Sequence, residues 1–149
     1  NSSPFRRAFE SVPGLSGRTV IGLRGMRADQ EAAEASRRLG HRLVHAEARG
    51  ESYKGQVAVA AVVLNRVASS SFPNTISGVI YQSGAFSCVS NGSINNTPDN
   101  SCVRAALDAL NGWDPTGGCL YYYNPGKTSD RWIRTRTVKT VIGSHYFAV

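Results

Sequence analysis

Eight consecutive apolar residues, Val57-Ala58-Val59-Ala60-Ala61-Val62-Val63-Leu64, constrain this chain more than any other feature. No polar face interrupts the run, so the segment must be buried on all sides and other elements must surround it. Over such a stretch, periodicity does not separate a buried helix from a buried strand. The alanines, the length from Lys54 to Ala68 and a cap at Ser52 predict a helix. A chain of 149 residues is long enough to supply the surrounding layer within one domain.

A second helix is predicted directly before it, from Asp29 to Gly50. Ala32, Ala35, Leu39, Leu43 and Ala46 recur at steps of three and four and make one apolar stripe. Asp29, Glu31 and Glu34 lie near its start and Arg49 near its end, as the helix dipole favours. Glu47 adjoins the stripe, and Glu51 follows Gly50, where the helix should stop. Two carboxylates therefore end one helix just before a fully buried one. A carboxylic acid beside a hydrophobic wall has its ionised form disfavoured and can donate a proton near neutral pH. Breaking a glycosidic bond needs such a donor.

The rest of the chain reads more simply. Residues 1 to 28, punctuated by Pro4, Pro13, Gly14, Gly17, Gly22 and Gly25, read as a lead-in or linker, and residues 29 to 149 as a single domain. A short helix is expected from Thr75 to Gln82, then a polar loop from Ser83 to Thr97 around Phe86. A helix from Thr97 to Asn111 would be capped by Thr97, with Pro98 in its first turn and Val103, Ala106, Leu107 and Leu110 on its core face. Cys119 to Asn124 and His145 to Val149 read as two strands able to pair. Helices first and a small antiparallel sheet last make the fold class α+β.

Charge and composition exclude several functions. The net charge of +7 and pI near 9.8 favour polyanionic partners without choosing among them. No run of 18 apolar residues exists, so no membrane span is expected. Asn1 is followed by no signal-peptide pattern, so any export signal is expected to have been removed from, or left out of, this sequence. Cys88, Cys102 and Cys119 include no C-x-x-C pair. Cys88 and Cys102 flank a turn-rich loop and are able to pair in an oxidising compartment. His41 and His45 are four apart, but the pattern is not H-E-x-x-H and no third ligand is evident, so no metal is expected. No G-x-S-x-G and no glycine-rich phosphate loop occurs, so no cofactor is expected either. A cysteine nucleophile, Cys88 or Cys119 with His145, has nothing local to activate it.

Four acids follow Glu51: Asp99, Asp108, Asp114 and Asp130. Each has an adequate structural account as a cap, a helix surface residue or a turn residue. Glycosidases commonly pair two carboxylates across the scissile bond, and no obvious second one is present. Glu47 is left as a single catalytic acid. The residues alone favour a plainer account, in which Glu47 pairs with Arg49 or Arg66 at a helix end. Arg131-Trp132-Ile133-Arg134-Thr135-Arg136 mixes bases with an aromatic, which suits single-stranded nucleic acid, a glycan groove, or a solvated segment with Trp132 packed inward. In Tyr121-Tyr122-Tyr123, strand alternation should bury one face and offer the other to a cleft.

From about Leu43 to Val149 the chain resembles the SleB-type cell wall hydrolases, the spore cortex-lytic enzymes. The resemblance is carried by Ala46-Glu47-Ala48-Arg49-Gly50-Glu51, Gly55-Gln56-Val57-Ala58-Val59-Ala60 with Leu64-Asn65-Arg66, Phe72-Pro73-Asn74-Thr75, and Val79-Ile80-Tyr81-Gln82. Phe86-Ser87, Asn111-Gly112-Trp113-Asp114-Pro115-Thr116-Gly117, Tyr121-Tyr122-Tyr123-Asn124-Pro125, and Ile142-Gly143 with His145 and Phe147 continue it. It implies a lysozyme-like, lytic-transglycosylase-like catalytic domain acting on peptidoglycan glycan strands, with Glu47 as the acid. In the implied mechanism Glu47 protonates the oxygen leaving N-acetylmuramic acid, then takes the proton of that sugar's C6 hydroxyl as the hydroxyl attacks C1. The product is a 1,6-anhydro end, and the high effective concentration of an internal hydroxyl lets it outrun water.

Glu51, Tyr53, Asn65, Phe86, Tyr121, Tyr123, Trp132 and His145 are the expected substrate-binding or supporting residues. The implied setting is an exported monomer at the bacterial wall or spore cortex, acting in germination, with no nucleic acid partner. Two other readings stay open: a peptidoglycan amidase or endopeptidase, and a non-catalytic basic glycan-binding domain.

Overall fold

The computed structural model describes residues 22–149, with side chains from residue 27 onward. The expected lead-in over residues 1–21 lies outside the described residues. The chain forms α1 (Gly22–Ala48), α2 (Tyr53–Ala68), α3 (Ile76–Ile80), α4 (Ser87–Ser90), α5 (Asn100–Leu110), β1 (Tyr121–Tyr123), β2 (Val138–Ile142) and β3 (His145–Ala148). Short 3-10 turns lie at Ser93–Asn95 and Ile133–Thr135. The class is α+β as expected, with the helices first and the sheet near the C-terminus.

The apolar run is the central helix. Every residue from Gly55 to Val67 in α2 is buried, and α1, α3, α5 and β1 pack around it. β-Branched residues lose up to about 0.7 kcal/mol each in helix propensity. Full burial of a valine contributes about 1.5–3 kcal/mol, so packing decides in favour of helix for Val57, Val59, Val62 and Val63. Ser52 caps α2 as expected, its hydroxyl accepting the Gly55 N–H at 3.2 Å.

Helix α1 starts at Gly22, seven residues before the expected Asp29, so a boundary at residue 28 falls inside it. Gly22 and Gly25 do not break it, since a glycine costs only about 1 kcal/mol in a helix interior. Leu39 and Leu43 are buried as the stripe requires, but Ala33 rather than Ala35 faces the core. Gln56 closes the α1–α2 turn. Its side-chain amide donates to the Glu51 carbonyl at 3.3 Å and the Arg49 carbonyl at 3.5 Å, and its Oε1 accepts from Ser101 at 2.7 Å.

Several expected elements shift. The short helix is α3, capped by Thr75 and ending at Ile80 rather than Gln82. The loop from Ser83 to Thr97 holds α4 and a 3-10 turn, because Cys88 and Ile94 are buried and pull it onto the core. Helix α5 is capped by Asp99, not Thr97, with the Asp99 carboxylate accepting the Cys102 N–H at 2.8 Å. Its core face is Cys102, Ala105, Ala106 and Ala109, whereas Leu107 is exposed. The small residues allow close approach to α2. All three cysteines are free, so Cys88 and Cys102 are not bridged.

The two expected strands pair antiparallel, Tyr122 opposite Phe147 and Tyr123 opposite Tyr146. A third strand, β2, which no alternation in the sequence predicts, makes β3 central in the order β1-β3-β2. Its alternation is weak, since Val138 and Val141 are exposed on an edge. Gly143 turns β2 into β3 at φ +59°, and a Cβ there would collide with the Glu51 carboxylate.

Candidate functional site

Glu47 is the penultimate residue of α1, half-buried in the lining of a cleft of about 350 Å³. The cleft is walled by Arg66 from α2, Phe86 and Ser87 at the start of α4, Tyr122 and Tyr123 from β1, Lys127 and Thr128 after it, and His145 from β3. Glu47 Oε1 accepts a short hydrogen bond from the Tyr122 hydroxyl. The two are 75 residues apart. No ion pair joins Glu47 to Arg49 or Arg66 among the described residues, against the plainer account of a helix-end salt bridge.

Aromatic packing fixes Tyr122. Its ring stacks on Phe147 at 5.9 Å, and His145 meets it edge-on at 5.0 Å. Burial and the neighbouring Glu47 push the Tyr122 phenol well above its ordinary value, so it remains a donor. Burial holds His145 below its ordinary 6.5, despite the opposing pull of Glu51 and Glu47. Its ring is therefore neutral at neutral pH, and its buried Nδ1 has no hydrogen-bond partner.

Arg66 shows how a cation is buried here. Its Nε donates to the Leu120 carbonyl at 2.7 Å, and its guanidinium lies 5.1 Å from the Phe72 ring, 5.5 Å from Phe86 and 5.5 Å from Tyr121. Backbone and π-faces hold it in place of a carboxylate.

A second groove, of about 290 Å³, continues from the first and shares Arg66, Ala85, Tyr122, Tyr123 and Thr128 with it. Tyr121 and Trp132 line it. Trp132 is 53% exposed rather than packed inward, with Tyr121 edge-on at 5.4 Å and Arg136 at 5.3 Å.

Of the expected site residues, Glu47, Phe86, Tyr123 and His145 share the first cleft, and Tyr121, Tyr123 and Trp132 share the second. Three others lie elsewhere. Glu51 accepts from Ser144 N at 3.1 Å and Ser144 Oγ at 2.5 Å, which ties the β2–β3 turn to the α1–α2 turn. Burial opposes its charge, but those bonds, with His145 and Lys127, outweigh it and hold its carboxyl below the ordinary value. Asn65 is buried, donating to Asp114 and to the Cys119 carbonyl at 3.0 Å each. Tyr53 is exposed, donates to Asp108 at 2.5 Å and packs on Trp113. Tyr122, Arg66 and Lys127 were missed. Alternation along β1 could have separated Tyr122 from Tyr121 and Tyr123, but not named which face meets the cleft.

The other acids have structural roles. Asp114 accepts from Thr116 and Gly118 and orders the loop after α5. Asp130, at the second groove, accepts the Trp132 N–H at 2.9 Å and the Ile133 N–H at 3.3 Å. Glu47 is the one carboxylate lining the first cleft among the described residues. One group has metal-ligand types within 4.8 Å of one another: His45, Asp99 and Cys102. His45 Nδ1 accepts the Asp99 N–H and the Asp99 carboxylate caps α5, so these atoms already serve the packing of α1 on α5.

Comparison with known proteins gives a consistent picture. The profile of the Cell Wall Hydrolase family matches residues 50–148, beginning three residues after Glu47. A spore cortex-lytic enzyme of Bacillus cereus is 57% identical over 104 residues, covering 70% of this chain and 40% of the relative. One from Oceanobacillus iheyensis is 46% identical over 134 residues, covering 90% of this chain and 49% of the relative. The chain thus spans less than half the length of these relatives. The crystal structure of the catalytic domain of the Bacillus cereus SleB protein superposes with a TM-score of 0.73 at 52% identity, covering 78% of this chain and 91% of that one. The catalytic domain of a germination-specific lytic transglycosylase, SleB from Bacillus anthracis, gives the same TM-score of 0.73 and 52% identity, over 76% of this chain and 93% of that one.

Proposed function

The chain belongs to the cell wall hydrolase family, and from that premise we propose that it cleaves peptidoglycan glycan strands as a lytic transglycosylase, with Glu47 as its single catalytic acid. The observation that carries the reading is that Glu47 is the one carboxylate lining the cleft among the described residues, held by Tyr122 beside a neutral histidine. A glycosidase that uses two protein carboxylates needs a second one across the bond. A transglycosylase does not, because the sugar supplies its own nucleophile.

Glu47 gives its proton to the oxygen leaving C1 of N-acetylmuramic acid, and the bond to N-acetylglucosamine breaks. The carboxylate then accepts the C6 hydroxyl proton as that oxygen bonds to C1, and a 1,6-anhydro end forms. Tyr122 holds one carboxyl oxygen through both halves and stabilises the anion between them. Tyr121 and Trp132 offer ring faces to the sugars, Phe86 and Tyr123 form the apolar wall behind them, and Lys127 and Arg66 make the wall basic. Glu51, Tyr53 and Asn65 act through the fold. The catalytic unit runs from α1 to β3 as one domain. The chain acts as an exported monomer at the wall or in the spore cortex; the relatives' names, spore cortex-lytic enzyme and germination-specific lytic transglycosylase, support the cortex and germination.

The test is mass spectrometry of fragments released from purified peptidoglycan by the parent chain and by Glu47→Gln. Anhydro-muramic ends from the parent and none from the variant are expected. Hydrated reducing ends would replace this mechanism with a water-using glycosidase. New amino groups without new sugar ends would mean an amidase.

A further inference from the structure

A buried polar atom left without a partner costs stability, so folds seldom keep one. Among the described residues two side chains do, His41 at Nε2 and His145 at Nδ1. His145 is the one in the first cleft, and it is only 7% exposed. Its ring is packed from three sides. The Tyr122 ring meets it edge-on at 5.0 Å and the Phe147 ring edge-on at 6.2 Å. On the third side Glu51 Oε1 lies 4.0 Å from Nδ1, too far for a hydrogen bond. Ser144, the residue before His145, holds that carboxylate in place.

This placement decides which ring nitrogen carries the proton. A lone pair on Nδ1 would face a carboxylate oxygen and be repelled, whereas an N–H there is attracted. The proton therefore sits on Nδ1, and Nε2 keeps the lone pair. Nδ1 is sealed from solvent, while Nε2 is not sealed and bonds no group of the protein, so Nε2 is the polar atom that the ring brings to the cleft. We propose that His145 is a substrate-binding residue whose Nε2 accepts a hydrogen bond from a hydroxyl or acetamido N–H of the sugar in the first cleft, in the tautomer that Glu51 sets from behind. The proposal rests on the reading of that cleft as a glycan site. Glu51 reaches the substrate only through the ring.

The cleft wall has use for such an acceptor. Arg66 and Lys127 only donate. Asn124 Oδ1 already accepts the Gly126 N–H at 2.9 Å, Thr128 Oγ1 accepts the Asp130 N–H at 3.1 Å, and Glu47 Oε1 is engaged by Tyr122. Sugar hydroxyls and acetamido groups bring donors, and an open lone pair on Nε2 meets one of them. The titratable and charged groups facing the ring are Glu51 from the α1–α2 turn, Glu47 from α1, Tyr122 from β1 and Lys127 from the loop after it. Burial prevails over the pull of the two carboxylates and keeps the ring neutral, with its lone pair present, at neutral pH.

The experiment compares the parent chain with His145→Phe and His145→Gln on purified peptidoglycan. Phenylalanine keeps a ring against Tyr122 and removes both nitrogens, and glutamine restores an acceptor at the reach of Nε2. His145→Phe should lose about three- to tenfold in kcat/KM, and His145→Gln should recover part of it. The Tm of His145→Phe should equal or exceed the parent's, because the unpaired Nδ1 is gone. The parent's kcat/KM should decline as pH falls below 6.5, when Nε2 takes a proton and becomes a donor, and His145→Phe should lack that limb. Parental kcat/KM in His145→Phe, or an unchanged acid limb, overturns the proposal.

A second readout needs no turnover. Nitrogen-15 NMR of histidine-labelled Glu47→Gln protein separates protonated from unprotonated ring nitrogens. Signals that vanish when His145→Phe is added belong to His145. Nε2 should carry the lone pair in the free protein, and its signal should move toward that of a protonated nitrogen when soluble glycan strands are added. A proton on Nε2 in the free protein, or an unmoved Nε2 signal while other cleft signals shift, overturns the proposal. No shift anywhere, with no glycan cleavage by the parent, overturns the reading of the cleft as a glycan site, and the role of His145 with it.

Discussion

The Tyr122 hydroxyl donates to Glu47 Oε1, joining the middle of a three-residue strand to the last full turn of a helix 75 residues earlier. Sheet and helix layers meet at this bond, so the acid's position depends on how the layers pack. Tyr122→Phe keeps the ring that stacks on Phe147 and removes only the donor. Hydrogen bonds to charged groups contribute about 1.5–3 kcal/mol. We expect kcat for glycan cleavage to fall about ten- to hundredfold with little change in Tm. Parental turnover in this variant would show that the bond does not serve the reaction.

Glu51 should behave differently from Glu47. Its carboxylate ties Ser144, and Gly143 leaves the space it occupies. Glu51→Gln is expected to destabilise the fold by about 1–3 kcal/mol and lower Tm by several degrees, while the folded variant still cleaves glycan. Gly143→Ala carries two costs: the left-handed backbone, at about 1–2 kcal/mol, and the collision with Glu51. The second should vanish in a Glu51→Ala background, so the double-mutant cycle must show coupling. Simple additivity in thermal denaturation would remove Glu51 from the turn.

Acid should weaken the fold in two stages. His145 and His41 are held below 6.5, in each case chiefly by burial, so as pH falls the unfolded chain protonates them first. Their contribution is fully present above 6.5 and is lost as pH falls toward their lower folded values. Glu51, held below 4.5 by Ser144 against the cost of burial, has the same sign. Its contribution is present above 4.5 and is lost at lower pH. Urea unfolding at a series of pH values should show stability dropping first below 6.5 and again below 4.5. A flat dependence from 7 to 5 would contradict the buried, neutral histidines.

The thiols should be silent in the native state. Burial pushes Cys88 and Cys102 up to about 12 and raises Cys119, and all three are free and buried. Ellman titration should find little reaction in native protein and three thiols per chain in denaturant. Fewer than three under non-reducing denaturation would reveal a bridge.

The fold is legible in the sequence to different depths in different parts of the chain. The run from Val57 to Leu64 required a central helix because no arrangement of those side chains leaves them in water. The α1 stripe at Leu39 and Leu43, the Ser52 cap and the pairing of His145–Ala148 with Tyr121–Tyr123 were legible for the same reason: each is set by local chemistry or strong periodicity. Strand β2 was not, since an edge strand with Val138 and Val141 in solvent has no period to read. Nor was the start of α1, where glycine and arginine obscure a helix that tolerates both.

The order of residues alone requires that a carboxylate end one helix beside a buried one, and leaves few acids to partner it. Which of the two neighbouring glutamates lines the cleft depends on long-range packing. Glu47 and Glu51 are four residues apart, with the same chemistry, across a turn. The packing of the sheet on the helices brings Tyr122 to the first and Ser144 to the second. Such contacts join residues tens of positions apart, and no local pattern encodes them.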